Sequence, residues 1–267
     1  MAITTIIFTD LDGTLLDAKT YSFERALPAL RLAREKDIPV VFVSSKTRAE
    51  LEMWRERIGN GHPFISENGG GIFIPDGYFP FPVAGEPREG FRVISLGTPY
   101  AEVRRRFMQL RERLGIAVRG FGDMTPEETA DLTGLPREEA VLAMQRDFCE
   151  PFLFSGSPDE RFLLAIEAEG LRWTQGRFFH IMGRHHKGKA VEVLRKLFEQ
   201  RGGRVVTMGL GDSLNDLPLL LVMDRPVLIR REDESYDTRV NIPGIQRTER
   251  AGPAGWNEAV LGFLSNE

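Results

Sequence analysis

The stretch Phe8-Thr9-Asp10-Leu11-Asp12-Gly13-Thr14 decides the fold of this chain and most of its chemistry. It ends a short apolar run, Ile3 to Thr9, whose continuous pattern is typical of a strand buried on both faces of a parallel sheet. In open α/β sheets, ligands collect at the carboxyl ends of strands. Asp10 and Asp12 therefore lie where chemistry is expected, and Mg²⁺, which prefers oxygen ligands, would relieve the repulsion between their carboxylates.

A second acidic cluster follows another apolar strand about 200 residues later, in Gly209-Leu210-Gly211-Asp212-Ser213-Leu214-Asn215-Asp216. If the two strands are neighbours, Asp212 lies beside Asp10 and completes a metal site. Each cluster taken alone also fits an Asx-rich turn or a helix N-cap. The occurrence of both clusters at buried strand ends favours the metal site.

The order of elements predicts a doubly wound, Rossmann-like α/β core with an inserted α/β domain. Strands at Pro39 to Val43 and Val205 to Leu210 alternate with helices, and Thr47-Arg48-Ala49-Glu50 is a capping box that starts one of them. Several prolines and glycines from Pro80 to Gly90 resemble a linker. We therefore predict a catalytic core in residues 1–83 and 184–267 and an inserted α/β cap in residues 84–183.

Composition excludes several classes of protein. The 267 residues include a single cysteine, Cys149, and four histidines, too few for a disulfide framework or the usual type of zinc site. A net charge of -4, with both signs interspersed, provides no general basic surface for nucleic acid. No apolar stretch reaches the roughly 20 residues of a membrane span. We expect a soluble, cytoplasmic protein that binds neither nucleic acid nor membrane; its oligomeric state is not predicted.

Four side chains are candidates for phosphate chemistry. A carboxylate held against Mg²⁺ can attack a phosphate ester, which suits Asp10, and Asp12 is placed to act as general acid and base. Ser44 follows the strand that ends at Val43, and Lys187 starts a helix after the insertion; both can donate to phosphoryl oxygens. The alternatives are an ordinary loop serine and a surface lysine.

These residues resemble the four motifs of the haloacid dehalogenase superfamily of phosphatases: Asp10 to Thr14, Ser44, Lys187, and Gly211 to Asp216. The resemblance implies Asp10 as nucleophile, Asp12 as acid and base, and Mg²⁺ held by Asp10, the backbone carbonyl of Asp12, and Asp212. Asp216 would be an outer or additional ligand. The insertion is similar to the cap of the Cof-like branch.

Within that branch, several segments resemble the mannosyl-3-phosphoglycerate phosphatase family. They are Ser44 to Glu50, Glu67 to Gly71, Met124 to Ala130, Glu150 to Phe152 and Lys187 to Val191. The implied substrate is a mannosyl- or glucosyl-3-phosphoglycerate, and the implied product is a glycosylglycerate, a compatible solute. A general sugar-phosphate or sucrose-phosphate phosphatase, a phosphomutase of the same superfamily and a non-catalytic sugar-phosphate sensor are the alternatives.

Such a substrate carries a carboxylate besides its phosphate, so the cap should supply fixed cations or amides. We predict substrate contacts from a set of core and cap residues: Lys46, Glu67, Asn68, Gly69, Gly70, Arg146, Arg177 and His180. The glycines fit a tight hairpin equally well. Linkers near Val83 and Gly183 are expected to act as hinges that close the cap.

Overall fold

The computed structural model of the chain describes residues 4–265 and forms two sheets. The strands are β1 (Thr4–Thr9), β2 (Val40–Val43), β3 (Phe64–Ser66), β4 (Gly71–Pro75), β5 (Glu86–Arg88), β6 (Phe91–Ser95), β7 (Val118–Gly120), β8 (Cys149–Phe154), β9 (Arg172–Gln175), β10 (Phe179–Met182), β11 (Val205–Gly211), β12 (Arg225–Arg230) and β13 (Gln246–Ala251). The α-helices are α1 (Leu27–Glu35), α2 (Arg48–Ile58), α3 (Tyr100–Leu114), α4 (Pro126–Thr133), α5 (Arg137–Ala143), α6 (Glu160–Ala168), α7 (Lys187–Gly202), α8 (Leu217–Leu220) and α9 (Gly252–Leu264).

The larger sheet is the core of the molecule. Its nine strands run in the order β13-β12-β11-β1-β2-β3-β4-β6-β5, and the six strands from β13 to β3 pair in parallel. One apolar layer includes Trp54 of α2 and Trp256 of α9, and the other includes Leu194 and Phe198 of α7. Helices on both faces of a mostly parallel sheet confirm the predicted doubly wound core.

The smaller sheet has four antiparallel strands in the order β7-β8-β10-β9. Helices α3 and α6 cover it, and Phe107, Phe152 and Phe162 lie at the centre of a separate apolar cluster. This second sheet forms a unit with its own core, inserted in the chain between β6 and α7. Its interior is rich in aromatic rings that pack edge to face, an arrangement that aromatic pairs prefer.

The predicted start of the insertion at residue 84 is wrong. Strands β5 and β6 extend the core sheet, because β6 pairs antiparallel with β4 from Phe91 to Ser95. Phe91 and Val93 pack on one face of that sheet, and Ile94 packs on the other. The proline- and glycine-rich stretch is therefore a turn before an edge hairpin, and the chain leaves the core near Gly97.

The last strand and helix were not predicted. β13 is a polar edge strand, with Thr248 as its buried residue, so its sequence lacks the apolar run of the inner strands. Helix α9 is rich in glycine at its start, yet Trp256 is fully buried and its ring N–H donates to Thr9 Oγ1 at 2.9 Å. This contact ties the end of the chain to the end of β1. Ile3, the first residue of the predicted β1, lies outside the described residues.

Candidate active site

Strands β1 and β11 bring the two acidic clusters together. They are parallel neighbours, with Thr9 opposite Leu210, so Asp10 and Asp212 leave the same edge of the sheet. The carboxylates of Asp10, Asp212 and Asp216 each offer an oxygen, and these oxygens all lie within 4.8 Å of one another. The expectation that the two strands are neighbours is confirmed.

A buried lysine joins two of these carboxylates. Lys187, the first residue of α7, is fully buried, and its Nζ donates to Asp10 Oδ1 at 2.7 Å and to Asp216 Oδ1 at 2.6 Å. Burial acts to lower the pKa of Lys187, but Asp10 and then Asp216 outweigh it and raise that pKa. The ammonium is therefore fixed as a cation between two anions.

The remaining negative charge is not compensated inside the cluster. Burial first, and then the charge of Asp216, raises the pKa of Asp10 to about 7. Burial, Asp216 and Asp10 also raise the pKa of Asp212 well above its ordinary value. Lys187 pairs with Asp10 and Asp216, and the half-buried Asp212 has only the more distant Arg231, whose Nε lies 3.8 Å from Asp212 Oδ2. The donor set of the three carboxylates consists entirely of hard oxygens. Such a set fits a hard divalent cation, whose positive charge would offset the repulsion that contributes to both raised pKa values.

Local backbone geometry keeps the two acidic loops close. Asp216 Oδ2 accepts the amides of Asp212 at 3.0 Å and Ser213 at 3.1 Å, which holds the loop after β11. Gly13 has φ +73°, and a Cβ there would lie 3.1 Å from Asp212 Oδ2. Glycine is suited to this position because it adopts positive φ without strain and lets the loops approach.

Asp12 lies beside this cluster rather than in it. Its Oδ2 pairs with Lys46 Nζ at 3.0 Å, and its side chain is 40% exposed toward the cavity. Lys46 is buried, also pairs with Glu50 at 3.4 Å, and lies over the ring of Tyr21. The carboxylate of Asp12 is thus no member of the three-carboxylate group. The backbone carbonyl of Asp12 as a metal ligand, which the sequence resemblance implied, stays a prediction.

The side chain of Ser44 is buried at the end of β2. Its Oγ accepts the amide of Lys46 at 3.3 Å. Among the residues described, the neighbour Ser45 lines the cavity and Ser44 does not. Helix α2 begins just beyond, and Thr47 and Glu50 form the predicted capping box.

The carboxylates of Asp10, Asp212 and Asp216 lie at one edge of the core sheet, which we call the acidic edge. A cavity of about 400 Å³ opens above the acidic edge, with walls from both units. The core contributes Asp10, Asp12, Asp212 and Lys46, and the inserted unit contributes Arg146, Arg177 and His180. Phe121 and Phe178 add an apolar part to the wall, with ring centroids 5.2 Å apart. The cavity therefore combines anions at its floor with cations and aromatic rings around it.

Three predicted residues of the inserted unit line this cavity, and they differ in their hydrogen-bond partners and charge. Arg177 Nη1 donates to the carbonyl of Thr133 at 2.7 Å, and its Nη2 donates to that of Leu132 at 3.1 Å. Burial lowers the pKa of His180 well below its usual range, so the ring is neutral. Arg146 Nη1 donates to the carbonyl of Ser45 at 3.0 Å, which links the two units.

Four predicted contacts are wrong, because the segment from Glu67 to Gly70 is buried beneath the cavity wall. The carboxylate of Glu67 accepts the amides of Asp147, Phe148 and Cys149 at 2.7 to 2.9 Å. Asn68 Oδ1 accepts from Asn215 at 3.3 Å. A Cβ at Gly69 would collide with the backbone of His186, and one at Gly70 with Phe148. These residues pack the hairpin against its neighbours and do not face the cavity.

Sequence reasoning missed a pair of arginines on the loop after β12. Arg231 Nε lies 3.8 Å from Asp212 Oδ2, and both Arg231 and Arg239 pair with Asp237 at 2.7 Å. Arg239 also donates to Gln175 of the inserted unit at 2.8 Å. Since β12 is a parallel strand beside β11, the rule that sites form at strand ends could have identified Arg231.

Known proteins that are similar in sequence to this chain are hydrolases, in agreement with a site of clustered carboxylates and a buried lysine. Residues 7–78 match the model of the haloacid dehalogenase-like hydrolases. The chain is 43% identical, over 97% of both sequences, to the glucosyl-3-phosphoglycerate/mannosyl-3-phosphoglycerate phosphatase of Methanococcoides burtonii. It is 43% identical, again over 97% of both, to the protein of that name from Persephonella marina. The chain belongs to this family of haloacid dehalogenase-like hydrolases.

The fold is shared with a solved structure over nearly the whole chain. A solved structure of a Thermoplasma acidophilum protein superposes with a TM-score of 0.72 at 16% identity, covering 98% of this chain and 99% of the other. That likeness concerns the fold. Within residues 4–265, the structure contains no helix with the length and apolar character needed to cross a bilayer.

Proposed function

We propose that this protein is a Mg²⁺-dependent phosphatase that hydrolyses glucosyl- or mannosyl-3-phosphoglycerate to the glycosylglycerate and phosphate. The observation that carries the proposal is the 43% identity, over 97% of both chains, to phosphatases named for these two substrates. The acidic edge with its buried lysine supports a phosphoryl-transfer site. The cytoplasmic location expected from the sequence remains part of this proposal.

The carboxylates of Asp10, Asp212 and Asp216, with the backbone carbonyl of Asp12, would hold the ion. A bound Mg²⁺ would supply positive charge that lets an anionic ester approach an anionic nucleophile. We favour Mg²⁺ because the side-chain donors are all carboxylate oxygens, which hard cations prefer.

Asp10 is the proposed nucleophile. Lys187 already binds Oδ1 of Asp10, which leaves Oδ2 as the attacking atom. Attack of Oδ2 on phosphorus forms an aspartyl-phosphate and breaks the bond between phosphorus and the glycerate oxygen. The ammonium of Lys187 stays beside the reacting carboxylate, where it can offset negative charge on the phosphoryl group.

Asp12 is the proposed acid and base. It delivers a proton to the leaving glycerate oxygen, and its exposure to the cavity gives it access to that atom. In the second step Asp12 takes a proton from water as the water oxygen attacks phosphorus, which releases phosphate and restores Asp10. Lys46 Nζ, 3.0 Å from Asp12, holds this carboxylate toward the cavity.

We assign the inserted unit the role of a cap that covers the substrate. The chain enters it near Gly97 and leaves it at Gly183, where an added Cβ would collide with Thr98, so the two crossings lie side by side. Adjacent crossings are suited to a hinge. The predicted hinge near Val83 is wrong, because Val83 packs on the core. We place the hinge at Gly97 and Gly183 instead.

A panel of substrates tests the proposal. Phosphate release would be measured with glucosyl- and mannosyl-3-phosphoglycerate, glucose 6-phosphate and sucrose 6-phosphate, with Mg²⁺ and without any bisphosphate activator. We expect kcat/KM for at least one glycosyl-3-phosphoglycerate to exceed that for the simple sugar phosphates by about 100-fold or more. Equal rates across the panel would contradict the substrate assignment, and a requirement for a bisphosphate activator would indicate a mutase.

A further inference from the structure

Arg146 differs from the other cations of the cavity in its partners. It follows α5 and precedes β8, and its Nη1 donates to Ser45 O at 3.0 Å. Its Nε is buried without a hydrogen-bond partner. Among residues 4–265, its guanidinium forms no ion pair with a carboxylate. Arg146 as a whole is half-buried. A partly desolvated cation in a cavity wall without a paired anion is stabilised when an anion binds there.

The other cations already have partners. Lys46 pairs with Asp12 and Glu50, and both Arg231 and Arg239 pair with Asp237. Arg177 pairs with no carboxylate among residues 4–265, but its two terminal nitrogens donate to backbone carbonyls. Arg146 therefore has the largest unused capacity to bind an anion.

Glu67 is the carboxylate that could have neutralised Arg146, but its oxygens are occupied. They accept three consecutive backbone amides, those of Asp147, Phe148 and Cys149. These amides follow Arg146 directly in the chain, so Glu67 fixes the backbone from which the arginine side chain extends. Glu67 acts on the position of Arg146 without pairing with it.

The electrostatic partners of Arg146 also differ from those of Lys187. Burial acts to lower the pKa of Arg146, but Cys149, Glu67 and Glu50 outweigh burial and leave that pKa raised. Lys187, in contrast, is held by Asp10 and Asp216 of the acidic edge. Lys187 on the core is therefore the cation beside the proposed nucleophile, and Arg146 of the inserted unit, which lines the same cavity, is available for a second anionic group.

We propose that Arg146 binds the carboxylate of the glycerate moiety through the guanidinium edge that carries Nε, and that Glu67 is the positioning residue for Arg146. This inference rests on the proposed function, since that substrate class carries a carboxylate in addition to its phosphate. A guanidinium can bind a carboxylate in a planar, two-point geometry that an ammonium cannot reproduce.

The test compares two substrates on four proteins. The substrates are glucosyl-3-phosphoglycerate and its primary amide, which replaces the carboxylate with a neutral group of similar size. The proteins are wild type, Arg146→Met, Arg146→Lys and the control Arg184→Met. Arg184 is exposed, and its Nε donates to Gly170 outside the cavity. Thermal melts would establish that each variant is folded.

We expect wild type and Arg184→Met to prefer the carboxylate over the amide by about 100-fold in kcat/KM. Arg146→Met should reduce that preference to within about threefold, chiefly by raising KM for the carboxylate substrate. Arg146→Lys should recover part of the preference, because it keeps the charge without the planar geometry.

Two results would overturn the inference while the proposed function stands. One is an equal loss of activity toward both substrates in Arg146→Met, which would place Arg146 at the phosphate or the sugar. The other is wild-type enzyme that hydrolyses the acid and the amide equally well. A wild-type enzyme without preference for glycosyl-3-phosphoglycerates over simple sugar phosphates would instead contradict the proposed function itself.

Discussion

The acidic edge of the core sheet and the basic wall of the inserted unit, which contains Arg146 and Arg177, carry excess charge of opposite sign. At the edge, Lys187 is saturated by Asp10 and Asp216, and the excess charge is negative. In the wall, Arg146 has one carbonyl partner and no paired carboxylate within residues 4–265. An excess of anions suits a cation, and an unpaired guanidinium suits an anion. We therefore propose that the edge performs the chemistry and that the wall selects the substrate.

Removing Asp10, the proposed nucleophile at the acidic edge, should have the largest effect. We expect Asp10→Asn to lower kcat by about 10⁴-fold or more, since no covalent intermediate can form. The fold should persist, because the change removes a buried negative charge from a cluster with too many. Phosphate release and a thermal melt measure both expectations, with Asp233→Asn on an exposed loop as the control. Near-normal turnover in Asp10→Asn would refute the assignment.

Removing the ammonium of Lys187, which pairs with both Asp10 and Asp216, tests whether this lysine is required for stability. Lys187→Met leaves two buried carboxylates without their cation, and such changes cost about 3–5 kcal/mol in free energy of unfolding. The measurement is urea denaturation of metal-free protein at pH 8. Lys189→Met, in the same turn but exposed, should change stability by less than about 0.5 kcal/mol. Equal effects of the two variants would show that the ion pairs of Lys187 contribute nothing.

The negative excess at the edge should make metal binding depend on pH. Asp10 has a pKa of about 7 in the metal-free protein, so it holds a proton below that pH and is ionised above it. A metal must displace this proton, and we expect Mg²⁺ affinity to be greatest above pH 7. It should weaken by about tenfold per pH unit for each displaced proton as the pH falls below 7. Calorimetric titration between pH 5.5 and 8 measures this dependence, and a constant affinity would contradict it.

Weakening the support of Arg146 should have the smallest effect. In Glu67→Gln one amide oxygen still accepts backbone N–H groups, but the amide NH₂ faces donors and loosens the segment after Arg146. We expect KM for glucosyl-3-phosphoglycerate to rise by about three- to tenfold, with kcat within twofold and little change for the substrate amide. Glu56→Gln on the exposed face of α2 is the control. An equal rise in KM for both substrates would indicate a purely structural role.

The sequence predicted the acidic edge well because strand ends follow local rules. The apolar runs of β1 and β11 identify inner parallel strands, and their carboxyl ends must share an edge if the strands are neighbours. The capping box at Thr47 is likewise a local pattern, and the structure contains it. The strand ends and the capping box depend on residues close together in the chain, whereas the pairing of β1 with β11, Thr9 with Leu210, had to be assumed.

The errors concern long-range pairing. The segment from Phe91 to Ser95 has the sequence of a strand that could belong to the core or to the cap. Its pairing with β4 places it in the core. Glu67 has the composition of a ligand-binding loop, yet it binds amides 80 or more residues away. Helix α9 was missed because glycine and proline at its start resemble a loop.

One structure would test the division of roles between edge and wall most directly. Crystals of Asp12→Asn, which keeps the three carboxylates of the acidic edge, would be grown with Mg²⁺ and glucosyl-3-phosphoglycerate. We expect an ion between Asp10 and Asp212, the phosphorus facing Asp10 Oδ2, and the glycerate carboxylate hydrogen-bonded to Arg146 Nε. A glycerate carboxylate bound at Arg231 or Arg239, or a phosphate bound at Arg146 with no ion at the acidic edge, would contradict the account.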